Sequence, residues 1–596
     1  MTTNIYRGRV DSLRAVMQAK QIDALIIASA DPHMSEYLPV YWQGREWVSG
    51  FTGSVGTLVI TQDFAGLWTD SRYWVQAPMQ LAGTGIELQK MMQGQPTFGK
   101  YLAEHLSDGA TVAIDGAVLS AAEHASLSET FKDKNIKLAT DADLLQSVWQ
   151  ERPTLPNEEI YPHAEAFIDE PVCDKFAKVR AKMDELGADY HLICSLDDIA
   201  WLTNLRGSDV SFNPIFLSHL LISKESATLF VHQDKLNDAA KAVLSGAGVQ
   251  VDDYDNVQQA LSTLSGILLI DPAKVSVGTL GKVSDALSII HAMNPSTVFK
   301  ANKSESALTH IRQAMRQDGA ALCEFFSNFE NRIKQGVATN ELDIAKMLTE
   351  SRSKQPHYVS ASFDTIAGFK GNGAIVHYKA TEEYHANIEG SGLLLIDSGA
   401  QYYNGTTDIT RMASVGDISD DEKRDVTYVL KAHIALAAAV YPVGIPSAQL
   451  DVLARNQLWQ QGLDYGHGTG HGVGYFLNVH EGPQVISRTA PTSPERTMQL
   501  GMITSNEPGL YREGKWGIRL ENLVATVPAC SSEYGEFAKF EDLTLCPFDT
   551  RLILPELLTA QEKDWLNSYH KKVHDELIDL VDGDAKAWLI QRTQAI

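Results

Sequence analysis

The stretch LLLIDSGAQYYNGTTDITR, residues 393–411, decides how the last third of this 596-residue chain folds. Its apolar run LLLI (393–396) predicts a buried strand, and Asp397 ends that run where a hydrophobic residue would be expected. The pair Asn404-Gly405 is a hairpin signal, so a second, antiparallel strand should follow. Asp408 comes directly after that signal. The hairpin can therefore bring both carboxylates to one site, although the register of the strands stays open.

Each of these two aspartates allows two interpretations. Taken singly, an Asp in such a position is more often a turn or cap residue than a metal ligand. A buried carboxylate without a partner is costly, however, so Asp397 needs a cation, a proton or hydrogen bonds.

Three further segments carry a histidine and two more carboxylates. They are GHGTGHGVG (466–474) with His471, ITSNEPGLY (503–511) with Glu507, and GIRLENL (517–523) with Glu521. Four carboxylates and one imidazole suit a pair of hard divalent cations, whereas a structural zinc site uses Cys and His at short spacing. Four carboxylates contribute about four negative charges, close to what two divalent ions neutralise. Two metals that hold one water make hydroxide at neutral pH, which indicates a hydrolase.

The segment 466–474 has glycine at every second position. It does not satisfy G-x-G-x-x-G and lacks the P-loop lysine, so phosphate-binding interpretations fail. Alternating glycines suit a strand that packs against another backbone. His467, His471 and His480 lie within fourteen residues, which favours an active site over a structural role. Arg519 precedes Glu521 and could pair with a carboxylate of the site or hold substrate.

Composition excludes several classes of function. The net charge of −25 argues against a nucleic-acid or anionic-membrane surface. The N-terminal sequence lacks the apolar region of a signal peptide, and apolar runs such as IALAAAV (434–440) are too short to span a bilayer. Five cysteines without a C-x-x-C pair predict reduced thiols in a cytoplasmic protein.

The first half of the chain contains an internal repeat. DALIIASAD (23–31) aligns with DYHLICSLD (189–197), and LVIT (58–61) aligns with LLIS (220–223). A helical pattern precedes each copy; its apolar residues are Val10, Leu13, Val16 and Met17 in one and Val179, Met183 and Leu186 in the other. The two copies are 166 residues apart, a spacing that indicates domain duplication rather than a solenoid.

Two features place the domain boundaries. The stretch 151–162, rich in proline and acidic residues, predicts a linker. A helical pattern begins after Ser304, and a capping box at Ser419 and Glu422 starts another helix. We therefore predict domains at 1–155, 156–303 and 304–596, the last with an α+β arrangement and its site on the sheet.

These motifs together resemble the pita-bread metallopeptidases. The set D-x10-D, G-H-G-x-G-H-G-x-G, N/D-E-P-G-x-Y and I-R-x-E-N is similar to theirs, while FLNVHEGP, LWTDSRYWVQA, DIAWLTNLRGSDVSFNPIF and the repeat are similar to the three-domain cytosolic form of aminopeptidase P. Met412 departs from the family pattern, but it is not at a ligand position. The resemblance implies an α+β/α/β multidomain fold, in which two duplicated creatinase-like domains precede a pita-bread metallopeptidase catalytic domain.

The resemblance also implies roles for individual residues. Asp408 and Glu521 would bridge two divalent ions, most often Mn²⁺ in this family. Asp397 would bind one ion, and His471 and Glu507 the other. Glu507, His377 and His480 would be catalytic, and His377, His467, His480 and Arg72 would bind substrate. Arg519 is a further candidate for substrate binding from its place in the motif. The implied reaction releases the residue before a penultimate proline through attack of a bridging hydroxide on the scissile carbonyl. Family members of this form are commonly homodimers.

Three other functions stay open at this point. A prolidase would cleave only Xaa-Pro dipeptides. A metal-free relative of the creatinase kind would hydrolyse a non-peptide substrate. A non-catalytic pita-bread binding module would have lost the ligands, all of which this chain keeps.

Overall fold

The computed structural model describes residues 4–596 of the chain, and residues 1–3 of the first predicted domain lie outside them. Its contacts divide the chain into two compact units. The first unit comprises the described residues up to His163 together with Glu170–Ser296, and the second comprises Ala164–Asp169 and Thr297–Ile596. The finer division into three domains remains a proposal.

The first unit contains two six-stranded sheets of the same topology. From edge to edge, the first consists of Glu87–Lys90, Ala65–Thr69, Thr57–Thr61, Ala24–Ile27, Thr111–Ala113 and Lys137–Ala139; the second consists of Val249–Asp252, Ala227–Phe230, His219–Ser223, Tyr190–Ile193, Gly266–Ile270 and Leu287–His291. Strand pairs at equivalent positions of the two sheets have the same orientation, antiparallel or parallel. The predicted duplication is therefore confirmed at the level of strand order.

A helix precedes the first strand of each copy, as the apolar pattern predicts. These helices span Ile5–Ala19 and Val172–Leu186, and they bury Val10, Leu13 and Met17 in one and Val179 and Met183 in the other. Leu186 belongs to its predicted helix as the last residue and is 38% exposed. The other helices between residues 20 and 290 are Gly44–Ser49, Gln76–Gln80, Phe98–His105, Ala121–Phe131, Leu196–Thr203, Asp238–Gly246, Val257–Ser262 and Val277–Leu280.

Two helices of the second unit begin at a serine cap, and the sequence predicts the second of these caps. The Ser304 side chain accepts a hydrogen bond from the Ala307 amide at the start of the longest helix, and Ser419 and Glu422 form a capping box. The helices that follow Ser304 are Glu305–Lys334, Glu341–Arg352, Asp420–Ala437, Asp451–Trp459, Ala560–Leu577 and Gly583–Arg592.

Sheets at the centre of this unit carry the predicted site. From edge to edge, one sheet consists of Ile366–Phe369, Gly392–Ser398 and Ile409–Val415, and a larger one consists of Val440–Pro442, Gly535–Asp542, Asn522–Ser532, Ile503–Asn506, Gly470–Gly472 and Glu481–Ile486. A small three-stranded sheet consists of Tyr358–Ala361, Ala400–Tyr402 and Gly405–Thr406, and a two-stranded one consists of Gly509–Arg512 and Trp516–Arg519. Strand Gly392–Ser398 is buried along its whole length, as predicted. No helix of residues 4–596 is both long and apolar enough to cross a membrane.

Candidate metal centre

Asp397 and Asp408 reach one site through the register of a hairpin. Strand Gly392–Ser398 pairs antiparallel with Ile409–Val415, and Asp397 lies opposite Thr410. Asp408 immediately precedes the second strand, so both carboxylates lie at the same end of the pair. The chain reverses one residue earlier than the Asn404-Gly405 signal predicts: Tyr403 and Asn404 form the turn, and Tyr402 pairs with Gly405 across it.

His471 lies on a short strand that packs closely between two others. A Cβ atom at Gly470 would lie 1.9 Å from the Ser505 carbonyl oxygen, and one at Gly472 would lie 2.2 Å from that of Glu481. Only glycine allows this approach, so the prediction that the alternating glycines pack against another backbone is confirmed. The Nδ1 atom of His471 lies 2.9 Å from the Gly472 carbonyl oxygen. That oxygen can only accept, so Nδ1 donates and Nε2 keeps its lone pair for a ligand.

Glu507 and Glu521 lie at matching ends of two paired strands. Ile503–Asn506 pairs with Asn522–Ser532, and Asn506 lies opposite Asn522. Glu507 follows the first strand and Glu521 precedes the second. The Glu521 amide donates to the Thr410 carbonyl oxygen at 3.1 Å, which joins this strand pair to the Asp408 hairpin.

These five side chains converge. One ligand atom from each of Asp408, His471 and Glu521 lies within 4.8 Å of the others. The Nε2 atom of His471 is 3.6 Å from Asp408 Oδ2 and 3.6 Å from Glu507 Oε1. Asp397 lies among the negative charges that raise the pKa of Asp408. All five predicted ligands therefore belong to one cluster.

The cluster concentrates negative charge in a buried place. Burial first, and then the neighbouring carboxylates, raise the pKa of Asp408 and of Glu521 well above their ordinary values. Burial and Asp397 raise the pKa of Glu507 to about 7, against the opposing effect of Arg519. The same groups become favourable as anions when cations compensate their charge.

Arg519 forms hydrogen bonds to Asp397 and to residues around the cluster. Its Nη2 atom donates to Asp397 Oδ2 at 2.5 Å, Nε donates to Thr410 Oγ1 at 3.2 Å, and Nη1 donates to the Tyr511 hydroxyl at 2.8 Å. The residue is 2% exposed. Of the two roles that the sequence left open, this geometry favours pairing with a carboxylate over holding substrate.

Thr410 and Tyr511 belong to this network, and sequence reasoning missed them. The Thr410 hydroxyl donates to Glu521 Oε2 at 2.8 Å. The Tyr511 hydroxyl donates to His467 Nε2 at 2.8 Å, since His467 Nδ1 donates to the Gly468 carbonyl oxygen. Both residues lie inside motifs that carry ligands, which was the available signal. Their partners are 111 and 44 residues away in sequence.

The other predicted histidines lie near the cluster in different ways. The His480 ring packs edge-on against His471, with centroids 4.3 Å apart. His377 follows Val376, whose carbonyl oxygen accepts from Arg519 Nη1 at 3.4 Å. Arg72 belongs to the first unit, where its guanidinium makes two hydrogen bonds to the Asp70 carboxylate. Its contact with substrate remains a prediction.

The donor set fits a pair of divalent cations. The described residues place no hydrogen-bond donor on the buried Oδ1 atom of Asp397, which leaves it available to a cation. Oxygen ligands with a single imidazole are also the chemistry that Mn²⁺ and similar ions accept.

Comparison with known proteins agrees with this geometry. The model of metallopeptidase family M24 matches residues 309–528, and that of the C-terminal region of peptidase M24 matches 536–596. Two models of the creatinase/prolidase N-terminal domain match 9–145 and 151–307. The chain belongs to metallopeptidase family M24, in its group with creatinase-type N-terminal domains. The resemblance and the fold class predicted from the sequence are thus confirmed, and the chain is a hydrolase.

Relatives match over nearly the full length. Xaa-Pro aminopeptidase 1 of Dictyostelium discoideum is 38% identical over 96% of this chain and 93% of its own, and aminopeptidase P2 of Arabidopsis thaliana is 38% identical over 96% and 86%. The crystal structure of X-prolyl aminopeptidase from Caenorhabditis elegans, described as a cytosolic enzyme with a di-nuclear active site, superposes with a TM-score of 0.94 at 30% identity. It covers 99% of this chain and 100% of that one.

Proposed function

We propose that this protein is a two-metal aminopeptidase that releases the N-terminal residue from peptides with proline in second position. One observation carries the proposal: Asp408, His471 and Glu521 each place a ligand atom within 4.8 Å of the other two, in a chain that matches an Xaa-Pro aminopeptidase over 96% of its length. Asp397, Asp408, His471, Glu507 and Glu521 would hold the ions. Manganese is the proposed metal, because the donors are mainly carboxylate oxygens.

When bound, two divalent cations supply Lewis-acid chemistry, ionising water near neutral pH and polarising a carbonyl group. The remaining steps fall to side chains. Glu507 accepts the proton of the attacking water and passes it toward the prolyl nitrogen. His480 and His377 donate hydrogen bonds to the carbonyl oxygen as negative charge develops there. The position of His480 against His471 supports this role.

Arg519 would hold the ligands in place rather than contact the peptide. Its three donors reach Asp397, Thr410 and Tyr511, and through the last two it orients Glu521 and His467. Hydrogen bonds of this kind fix the direction of metal ligands. His467, held by Tyr511, stays a proposed substrate contact.

The cellular setting is proposed from relatives. The Caenorhabditis elegans enzyme is described as cytosolic, and the cysteines Cys194, Cys323 and Cys546 of this chain are buried, free thiols. We propose a cytoplasmic homodimer that acts on peptides and binds neither nucleic acid nor membrane.

A prolidase is the nearest alternative, and peptide length separates the two. We expect cleavage of Xaa-Pro-Yaa tripeptides after the first residue, since nothing in the proposed chemistry requires a free carboxylate on the proline. Product analysis by mass spectrometry on the tripeptide and on an Xaa-Pro dipeptide gives the measurement. Cleavage of the dipeptide alone would identify a prolidase, and cleavage of neither peptide by the metal-loaded protein would favour the creatinase-like or binding-module alternatives.

A further inference from the structure

Glu341, a residue outside the metal cluster, makes an unusually dense set of hydrogen bonds. It is the first residue of helix Glu341–Arg352 and is 1% exposed. Its carboxylate accepts from the amides of Phe369 and Ala386, each at 2.7 Å, from the Tyr378 hydroxyl at 2.8 Å, and from Asn372 Nδ2 at 3.1 Å. All four donors lie in one stretch of chain, residues 369–386.

That stretch, which we call the 369–386 segment, carries His377. Tyr378, a direct neighbour of His377, is one of the four donors to Glu341. On its other side the segment packs against strand Trp516–Arg519: a Cβ atom at Gly517 would lie 1.7 Å from the Gly373 carbonyl oxygen. Arg519 also donates to the Val376 carbonyl oxygen. The segment is therefore held between Glu341 and the strand that contains Arg519.

The buried carboxylate of Glu341 depends on these hydrogen bonds from the 369–386 segment. No cationic side chain of the described residues forms an ion pair with it, so hydrogen bonds from the segment alone solvate a buried carboxylate. Movement of the segment away from Glu341 would leave that carboxylate buried without donors, which is strongly unfavourable. The segment thus has one favoured position, and His377 with it.

We propose that Glu341 is a positioning residue for peptide hydrolysis, which fixes the 369–386 segment so that His377 stands beside the metal cluster. The inference rests on the proposed function in that His377 acts on the substrate. It assigns to Glu341 no contact with substrate or metal.

Glu341→Gln tests this proposal with almost no change in volume. An amide presents donors at one end, so in either orientation a backbone N–H of Phe369 or Ala386 faces another donor. We expect kcat on an Xaa-Pro-Yaa peptide to fall about 100-fold, as displacement of a reacting group by about 1 Å can do. Metal content should stay at the wild-type level and KM should change little. Hydrogen exchange of amides in the 369–386 segment should become faster.

The matched control is Glu330→Gln. Glu330 is a half-buried carboxylate of the same unit that accepts from Trp588, Arg551 and Arg592, all near the C-terminus, and its replacement should leave kcat unchanged. If Glu341→Gln does not fold, Tyr378→Phe removes one donor only and should lower kcat in the same direction. Unchanged kcat together with unchanged exchange in the segment would overturn the proposal. Wild-type protein that does not cleave the peptide would refute the proposed function instead, and exchange in the segment would still test the role of Glu341.

Discussion

Asp408→Asn and Glu521→Gln should each abolish peptide hydrolysis and lower the metal content of the purified protein. Each change keeps the shape of a residue that would hold the ions and removes its negative charge. Metal-ion catalysis contributes several kcal/mol to transition-state stabilisation, and about 4 kcal/mol corresponds to about a 1,000-fold loss of rate. Metal analysis and kcat on an Xaa-Pro-Yaa peptide provide the measurement.

The same two variants should be more resistant to heat than the wild type when metal is absent. Burial and like charges raise the pKa of both carboxyl groups in the folded state, so at neutral pH their ionisation opposes folding. Thermal unfolding should therefore be measured with chelator and with added Mn²⁺. The variants should be the more stable proteins with chelator and the wild type the more stable with Mn²⁺, because only the wild type gains the full effect of metal binding. Glu330→Gln again serves as the control. Two bound metals and normal turnover in either variant would show that the ligand assignment is wrong.

His480→Ala and His377→Ala should lose turnover while they retain metal. Neither residue matches a position that the resemblance to the pita-bread metallopeptidases implies for a metal ligand. Loss of a donor to a developing oxyanion typically lowers kcat by about 100- to 1,000-fold. Kinetics and metal analysis on the same samples separate a loss of chemistry from a loss of metal.

A histidine on the same segment provides the control for His377. The ring of His385 bonds to the Thr381 carbonyl oxygen near the surface, so His385→Ala should keep wild-type activity. Loss of metal from both His480→Ala and His377→Ala would place these residues among the ligands and overturn the roles proposed for them.

Local signals in the sequence predicted local structure well. Ser419 and Glu422 form the predicted capping box, and the alternating glycines of residues 466–474 allow the predicted backbone contacts. Such features depend on residues a few positions apart, whose chemistry the sequence displays directly. The hairpin signal at Asn404-Gly405 located the chain reversal to within one residue.

Long-range contacts could not be derived in this way. The register that places Asp397 opposite Thr410 depends on how the whole strand pair packs, and either partner for Arg519 was compatible with its motif. Glu341 is a first-turn acid of its helix, but its donors lie 28 to 45 residues further along the chain. Only the fold reveals that these donors belong to the segment that carries His377.

Two metals bound in this cluster should be required for cleavage of the bond before a penultimate proline. Metal content and turnover should therefore be measured together on one purified sample, with Xaa-Pro-Yaa and Xaa-Ala-Yaa peptides. We expect about two divalent ions per chain, the number that forms a two-metal site. Cleavage should follow the first residue, about 10- to 200-fold faster for proline than for alanine, since a pocket shaped for the pyrrolidine ring loses apolar contacts with alanine. Equal rates on the two peptides, or full turnover by protein stripped of metal, would contradict the account.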